Sequence, residues 1–148
     1  MNAWPSLGSA RTKSNRLTFL TLLVCLVSGC GHLGTNDRQS SLIVATETYR
    51  ELFRWGNFGQ AALYLKARDE TLSTPDFPQM ARFKISSYET SQVVQNSTFD
   101  EARLVAQIEY YELDSRVLRT LRDEQFWWFD KQTEKWFLGS PMPTFVKH

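Results

Sequence analysis

The chain has 148 residues, a formal net charge of +1 and a hydrophobic content of 42%. This length suffices for one domain, and the composition is that of a folded protein, which excludes wholesale disorder. The near balance of 17 basic and 16 acidic residues argues against a protein that holds nucleic acid on a basic face. We therefore expect no nucleic acid among its partners.

The N-terminal segment has the features of a secretory signal. Arg11, Lys13 and Arg16 give it a basic start without an acidic residue, and an apolar run follows over residues 17–27. As a helix, this run would cover only about 16 Å, roughly half of the hydrocarbon core of a bilayer. The pattern therefore predicts a signal peptide that is removed rather than a retained membrane span.

This segment ends in the sequence VSGC at residues 27–30, which resembles the lipobox of bacterial lipoproteins. The resemblance implies that residues 1–29 are a lipoprotein signal peptide and that Cys30 carries three acyl chains, enough to hold a protein stably on a membrane. In this family, an Asp directly after the Cys commonly retains the protein at the inner membrane. Gly31 stands there instead, which favours the outer membrane and a domain that faces the periplasm.

A single domain is predicted beyond the signal. Residues 30–41 comprise the acylated Cys30 and a polar stretch with two glycines, which indicates a flexible tether. From residue 42 to residue 148 the pattern is continuous, without a linker or an internal repeat. Eighteen of these 107 residues are aromatic, so we expect large rings to fill the core.

Two helices are predicted at the start of this domain. Apolar residues recur at spacings of three and four between Leu42 and Trp55, and Gly56 is typical of the position that ends a helix. A second amphipathic stripe follows over residues 58–65. The prolines within residues 74–78 then interrupt the chain, because proline lacks a backbone donor and disfavours helix in the residue before it.

Beyond residue 82 the hydrophobic period changes from 3.6 towards two, which predicts antiparallel strands. The apolar parity changes near Ser86, which indicates a β-bulge or bend. Residues 100–124 are also rich in helix formers, so a helix is the alternative there. Consecutive aromatic residues such as Tyr110 and Tyr111 favour strands. The expected fold is therefore α+β, with two N-terminal helices packed on a sheet of about four strands.

This order of elements resembles the NTF2-like (cystatin-like α+β) superfamily, over about residues 42–140. The segments that carry the resemblance are the turn WGN at 55–57, AALYL at 61–65, FWW at 126–128 and WFL at 136–138. The resemblance implies a strongly curved antiparallel sheet whose concave side is filled by helices, which together form a cone. The family commonly has a third helix before the sheet. In this chain only residues 69–80 could form it, and the prolines there allow only a short helix.

The sequence offers little catalytic chemistry. Residues 42–147 contain no His and no Cys, so the commonest general base, metal ligand and thiol nucleophile are missing, and we expect no catalytic residue, cofactor or metal. The alternative is a small-ligand pocket or an isomerase-like site, in which a buried acid faces a Tyr across an apolar cone. The candidate pocket residues are Tyr49, Phe53, Tyr64 and Trp127, and the candidate acids are Glu89, Glu109, Asp123 and Glu124.

The aromatic hairpin near the C-terminus points to a binding function. If Trp127 and Phe129 face the helices, their neighbours face outward and form an apolar patch of the kind that marks partner surfaces. The candidate residues of this surface are Phe126, Trp128 and Trp136, and Phe137 is the alternative to Trp136. The alternative is that the tail at residues 141–145 covers these rings. An open patch predicts a homodimer or a periplasmic protein partner, and a covered patch predicts a monomer. We thus expect a lipid-anchored, non-catalytic binding or assembly module.

Overall fold

The computed structural model describes residues 30–68 and 71–146 of the chain. The predicted signal peptide, residues 1–29, lies outside this part. Contacts divide the chain into two compact units between Gly34 and Thr35, and the second unit contains the sheet. This unit has an α+β fold, in which a curled antiparallel sheet forms a half-barrel accompanied by a few helices. No helix in the described part is both long and apolar enough to cross a bilayer.

Helix α1 covers Cys30–Arg54 and includes the helix predicted from Leu42 onward. The chain leaves it at Gly56, whose φ of 77° lies in the left-handed region that glycine adopts without a steric penalty. The N–H group of Gly56 donates to the carbonyl of Phe53 at 3.0 Å and closes the last turn. The predicted end of the first helix is therefore confirmed.

The same helix includes residues 31–41, where the sequence predicts a flexible tether. Contacts to the sheet explain the difference. The Arg38 carbonyl accepts a hydrogen bond from Trp136 Nε1 at 3.0 Å, and the guanidinium carbon of Arg38 lies 5.1 Å from the centroid of the Phe129 ring. Trp136 Nε1 also donates to Ser41 Oγ at 3.2 Å. The end of the predicted tether is thus part of the folded unit.

The second predicted helix is shorter than expected. Helix α2 covers Phe58–Ala61, and a 3₁₀ turn follows over Ala62–Tyr64. Leu65 has an extended backbone and forms a parallel bridge with Leu138 at the edge of the sheet. The stripe over residues 58–65 therefore contains one α-helical turn and one 3₁₀ turn, because the chain must extend at Leu65 to reach this edge. A further single turn, α3, covers Phe77–Met80.

The sheet has four strands in the order β1-β2-β3-β4, and each strand is antiparallel to its neighbour. Their bounds are β1 Phe83–Gln95, β2 Glu101–Glu112, β3 Leu118–Asp130 and β4 Lys135–Leu138. The strand interpretation of residues 100–124 is confirmed. Strand β1 shifts register against β2 between Ile85 and Ser87, as predicted, and a second time between Thr90 and Gln92.

One face of the sheet, the inner face, contacts α1 and holds the core. Along β2 every second residue from Ala102 to Tyr110 is buried. Trp127 of β3 and Leu138 of β4 lie on the same face and have no exposed surface. Tyr49 of α1 packs its ring edge-to-face on Trp127, with the centroids 5.5 Å apart. The opposite, outer face of the sheet carries the alternate residues of each strand.

The C-terminal tail, residues 139–146, runs beside β3 where β4 has ended. Strand β4 pairs with only the last four residues of β3. Beyond them, the Gly139 N–H donates to the Phe126 carbonyl at 2.7 Å. Further along, Arg119 Nη1 donates to the Val146 carbonyl at 2.9 Å. The tail therefore follows the edge of β3 in the antiparallel direction.

Phe145 of this tail turns into the core. It is 2% exposed, and its ring centroid lies 4.8 Å from that of Tyr110 and 5.1 Å from that of Phe83. The ring of Phe53 on α1 lies 6.0 Å away. The sequence suggested the tail as a cover for the outward-facing rings, whereas its aromatic residue fills the inner face.

Candidate functional site

The four predicted pocket residues meet in the inner core. The Tyr49 ring centroid lies 5.5 Å from that of Trp127, 5.8 Å from that of Phe53 and 6.2 Å from that of Tyr64. Tyr64 also contacts Trp127 at 5.8 Å between centroids. Tyr49, Phe53 and Trp127 are at most 1% exposed. The four rings therefore lie together and pack directly against one another.

Of the four candidate acids, Asp123 is the buried one. It is 7% exposed, whereas Glu89 and Glu124 are exposed. Glu109 is half-buried and pairs with Ser87 on the outer face. Asp123 shares the strand parity of the inner residues of β3, and successive side chains of a strand point to opposite faces. This parity places one carboxyl inside the sheet, under helix α1.

Gln125 connects Asp123 to two aromatic side chains. Its Nε2 donates to Asp123 Oδ2 at 2.6 Å and to the Tyr88 hydroxyl at 2.5 Å, and its Oε1 accepts from Trp127 Nε1 at 2.9 Å. Gln125 is itself 4% exposed. The sequence pattern did not indicate a role for this residue. A polar residue that shares the parity of Trp127, two positions before it, is the signal that could have identified it.

Burial dominates the protonation of this group of side chains. It raises the pKa of Asp123 to about 6, and the hydrogen bond from Gln125 opposes this change. Burial also raises the pKa of the Tyr88 phenol, and the charge of Asp123 adds to the effect. Burial raises the pKa of Tyr49 as well, with smaller contributions from Tyr88 and Asp123. We call Tyr49, Tyr88, Asp123 and Gln125 the Asp123 cluster.

Two polar atoms at this cluster are buried without a hydrogen-bond partner among the described residues. They are the Tyr49 hydroxyl and Arg50 Nε. Arg50 Nη2 pairs with Glu47 Oε2 at 2.5 Å, and both of these charges act on the Tyr88 phenol. An unpaired buried hydroxyl costs about 1–3 kcal/mol. The cluster therefore keeps hydrogen-bonding capacity that the described residues do not use.

The predicted partner surface lies on the outer face of β3 and β4. Phe126 and Trp128 are half-buried there, and Phe137 lies 5.8 Å from Trp128 between ring centroids. Trp136 is 3% exposed and points to the inner face. The assignment of Trp136 to the surface is therefore wrong, because this ring lies in the core, and its alternative Phe137 belongs to the surface. We call Phe126, Trp128 and Phe137 the outer aromatic patch.

Two cations lie over the rings of this patch. Lys66 Nζ is 4.8 Å from the centroid of Phe137 and 5.3 Å from that of Trp128. The guanidinium carbon of Arg103 is 5.3 Å from the centroid of Phe126. Cations at such distances are attracted to the ring faces. The patch is therefore an aromatic surface with two basic groups over its rings.

Neighbouring groups hold this arrangement in place. Lys66 Nζ bonds to Asp130 Oδ2 at 2.6 Å, and the Lys66 carbonyl accepts from Trp128 Nε1 at 2.9 Å. The bond from Lys66, helped by a backbone N–H, lowers the pKa of Asp130 to about 2. Beneath the rings lies Gly139, where an added Cβ would be only 2.9 Å from Phe126 Cδ1. The patch therefore has an ordered geometry.

Comparison with protein-family models, with curated proteins and with solved structures finds no match to this chain. Within residues 30–68 and 71–146, no group of three or more His, Cys, Asp or Glu side chains is arranged to hold a metal ion. Two features of the described residues are candidate functional sites, the Asp123 cluster on the inner face of the sheet and the outer aromatic patch.

Proposed function

We propose that this protein is a lipoprotein of the outer membrane, anchored through acyl chains on Cys30 and facing the periplasm. The sequence VSGC at residues 27–30 supports the anchor, and Gly31 supports the outer membrane. We further propose an NTF2-like domain that works as a non-catalytic binding or assembly module. The curled antiparallel sheet, with α1 across its inner face, supports this fold assignment.

The observation that carries the non-catalytic proposal is the aromatic filling of the inner face. Phe145 enters from the tail and Tyr49 from α1, and both are at most 2% exposed. A site for a small molecule commonly needs a cleft of about 300–1,000 Å³. Here rings occupy the region where the resemblance places the cone. The ordered outer aromatic patch is then the surface available for a partner.

The anchor is tested by metabolic labelling with palmitate in cells treated with globomycin, which blocks cleavage of lipoprotein signal peptides. We expect label on the wild-type chain, none on Cys30→Ala, and an uncleaved precursor in the presence of globomycin. Wild-type protein that carries no label, or that forms no precursor, would end the lipoprotein proposal.

The binding role is tested by crosslinking in intact cells, followed by capture of the full-length protein. Trp128→Glu and Arg103→Glu alter the outer aromatic patch, while Val117→Glu alters an exposed residue in the β2–β3 turn and serves as the control. We expect the crosslinks, to a second copy or to another periplasmic protein, to disappear in the two patch variants only. Equal crosslinking in all variants would show that the outer aromatic patch is not the binding surface.

A second candidate function follows from the Asp123 cluster, namely a small-ligand or isomerase-like site. The observation in its favour is a desolvated carboxyl beside the unpartnered Tyr49 hydroxyl. A neutral carboxyl and a phenol can both donate hydrogen bonds to a developing enolate oxygen. The test is turnover of steroid and enol substrates. Saturable activity that is lost in Asp123→Asn and Tyr49→Phe would favour this function, and absence of turnover would favour the binding module.

A further inference from the structure

The outer face of β2 and β3 carries four charged side chains, namely Arg103 and Glu109 on β2 and Arg122 and Glu124 on β3. They share this face because the alternate residues of both strands face the core, and successive side chains of a strand point to opposite sides. Glu109 is half-buried, and the other three are exposed. The middle of the outer face is therefore charged and open to solvent.

The signs of these charges reverse about one row of the face. The register pairs Ala106 of β2 with Asp123 of β3, and we call this pair the central row. Counted along β2, Arg103 lies three residues before the central row, and Glu109 lies three residues after it. The positive and the negative side chain of β2 are therefore equally far from the row.

Strand β3 shows the same reversal with the opposite order of signs. Glu124 pairs with Val105, one residue before the central row, and Arg122 pairs with Gln107, one residue after it. Each of the four charges therefore has a charge of opposite sign on its own strand, at the same distance on the other side of the central row.

A twofold axis along the central row converts this pattern into contacts. When two sheets pack face to face about an axis that runs across the strands, each position meets the position equally far beyond the row in the second copy. Arg103 then faces Glu109 of the second copy, and Arg122 faces Glu124 of the second copy. Because the interface is symmetric, each of these pairs forms twice.

The single chain leaves part of this charge uncompensated. Among the ion pairs in the described part of the chain, none includes Arg103 or Glu109. The guanidinium carbon of Arg103 lies 5.3 Å from the centroid of the Phe126 ring, which orients this cation on the outer face. Arg122 Nη2 and Glu124 Oε1 pair with each other at 3.1 Å and are largely exposed. A second copy would supply the missing partners and extend the exposed pair to a network of four charges.

We propose that the outer face binds a second copy of this chain about the central row, so that the two copies form a symmetric dimer, sheet on sheet. The proposal rests on the proposed binding role of the outer aromatic patch and names its partner. Trp128 of this patch and the exposed Leu118 lie at opposite ends of β3, each five residues from the central row. The axis therefore brings the patch of one copy to the apolar Leu118 end of the other.

The size of the face indicates a weak dimer in which the charges are decisive. Strands β2 and β3 pair along residues 101–111 of β2. With a rise of about 3.3 Å per residue and a strand spacing of about 4.8 Å, the face of β1, β2 and β3 measures about 35 Å by 15 Å. Two such faces bury about 1,000 Å² in total, which is near the lower limit for a specific interface. Reversal of a single charge should therefore separate the copies.

The experiment is sedimentation equilibrium of the full chain in a density-matched non-ionic detergent. We expect a monomer–dimer equilibrium for the wild type. Arg103→Glu and Glu109→Arg should each raise the dissociation constant at least about 10-fold, because each reversal turns two attractive contacts into repulsive ones. The double variant restores opposite signs at both contacts, so its dissociation constant should lie within about threefold of the wild-type value.

A matched control and a second set of variants complete the experiment. Arg54→Glu reverses an exposed charge at the end of α1, which lies on the inner face, and should keep the wild-type dissociation constant. If Glu109→Arg does not fold, Arg122→Glu, Glu124→Arg and their double variant replace the first set, since both positions are exposed. The same loss in the single variants and recovery in the double variant is expected.

Two results would overturn the proposal. One is a wild type that stays monomeric up to about 1 mM, and the other is a double variant that associates as weakly as the single variants. Crosslinking in intact cells separates these failures from a failure of the binding function. If the patch variants still lose crosslinks to another protein, the binding function stands and only the second copy is excluded as the partner. Equal crosslinking in all variants contradicts both.

Discussion

Removal of the Phe145 ring should destabilise the fold strongly, because this side chain closes the inner face from the C-terminal tail. Phe145 is 2% exposed, and its ring centroid lies between 4.8 and 6.2 Å from those of Tyr110, Phe83, Phe53 and Phe58. Truncation of a buried Phe to Ala costs about 3–5 kcal/mol, since it removes buried apolar area and leaves a cavity. We expect Phe145→Ala to lower the free energy of unfolding by about 4 kcal/mol.

Urea denaturation of the full chain in detergent, followed by far-ultraviolet circular dichroism, measures this change. Thr144→Ala alters the exposed neighbour of Phe145 and should change the free energy of unfolding by less than about 0.5 kcal/mol. Phe145→Leu keeps most of the apolar volume and should fall between the two. A loss below about 1 kcal/mol in Phe145→Ala would refute the view that the tail completes the core.

Three further changes test other contacts by the same denaturation assay. Gly139→Ala should cost about 1–3 kcal/mol, because its Cβ would lie 2.9 Å from a ring carbon of the outer aromatic patch, whereas Gly59→Ala, with no atom within 4 Å, should cost nothing. Equal changes in stability for Gly139→Ala and Gly59→Ala would contradict the close approach of Gly139 to the Phe126 ring. Trp136→Phe removes the indole bond to the backbone of α1 and should cost about 1–2 kcal/mol, and an unchanged midpoint would exclude this bond as a stabilising contact. Asp100→Asn should be less stable than the wild type at pH 7. Hydrogen bonding, chiefly from Thr98, lowers the folded-state pKa of Asp100 to about 2, so its contribution is present above the ordinary pKa and disappears as the pH falls through 2. A difference that is as large at pH 2 as at pH 7 would contradict this assignment.

The strands could be predicted because burial on one face imposes a period of two. The buried residues of β2 alternate from Ala102 to Tyr110, and this pattern outweighs the helix-forming composition of residues 100–124. The end of α1 could be predicted because Gly56 needs a positive φ. Both are local signals, carried by residues that lie close together in the sequence.

Contacts between distant segments could not be predicted in the same way. Whether Trp136 or Phe137 faces outward depends on the register of β4, where Trp136 pairs with Phe129. Arg38 packs on residues of the same strands, which are distant in the sequence. The local sequence around Arg38 is polar and therefore resembles a tether. Phe145 reaches the inner face only because the tail follows β3.

The candidate site likewise contains residues whose place the sequence predicts and residues whose place depends on distant contacts. Tyr49 and Trp127 could be predicted to meet, because each lies on the apolar face of its own element. Asp123 could be named only as one of four acids, since its parity becomes decisive once the register of β3 is known. Gln125 is a neutral polar residue, and its role depends on three hydrogen bonds to groups that the sequence does not place near it.

The two edges of the sheet limit how copies of this protein can associate. An unprotected edge strand is a template on which further chains assemble into fibrils. Beside β3, the tail forms one backbone hydrogen bond, from the Gly139 N–H to the Phe126 carbonyl, and its Pro141 and Pro143 have no N–H to offer another strand. Along β1 two bulges interrupt the regular spacing of donors and acceptors. Growth by strand addition should therefore be suppressed, and association should proceed through the faces of the sheet.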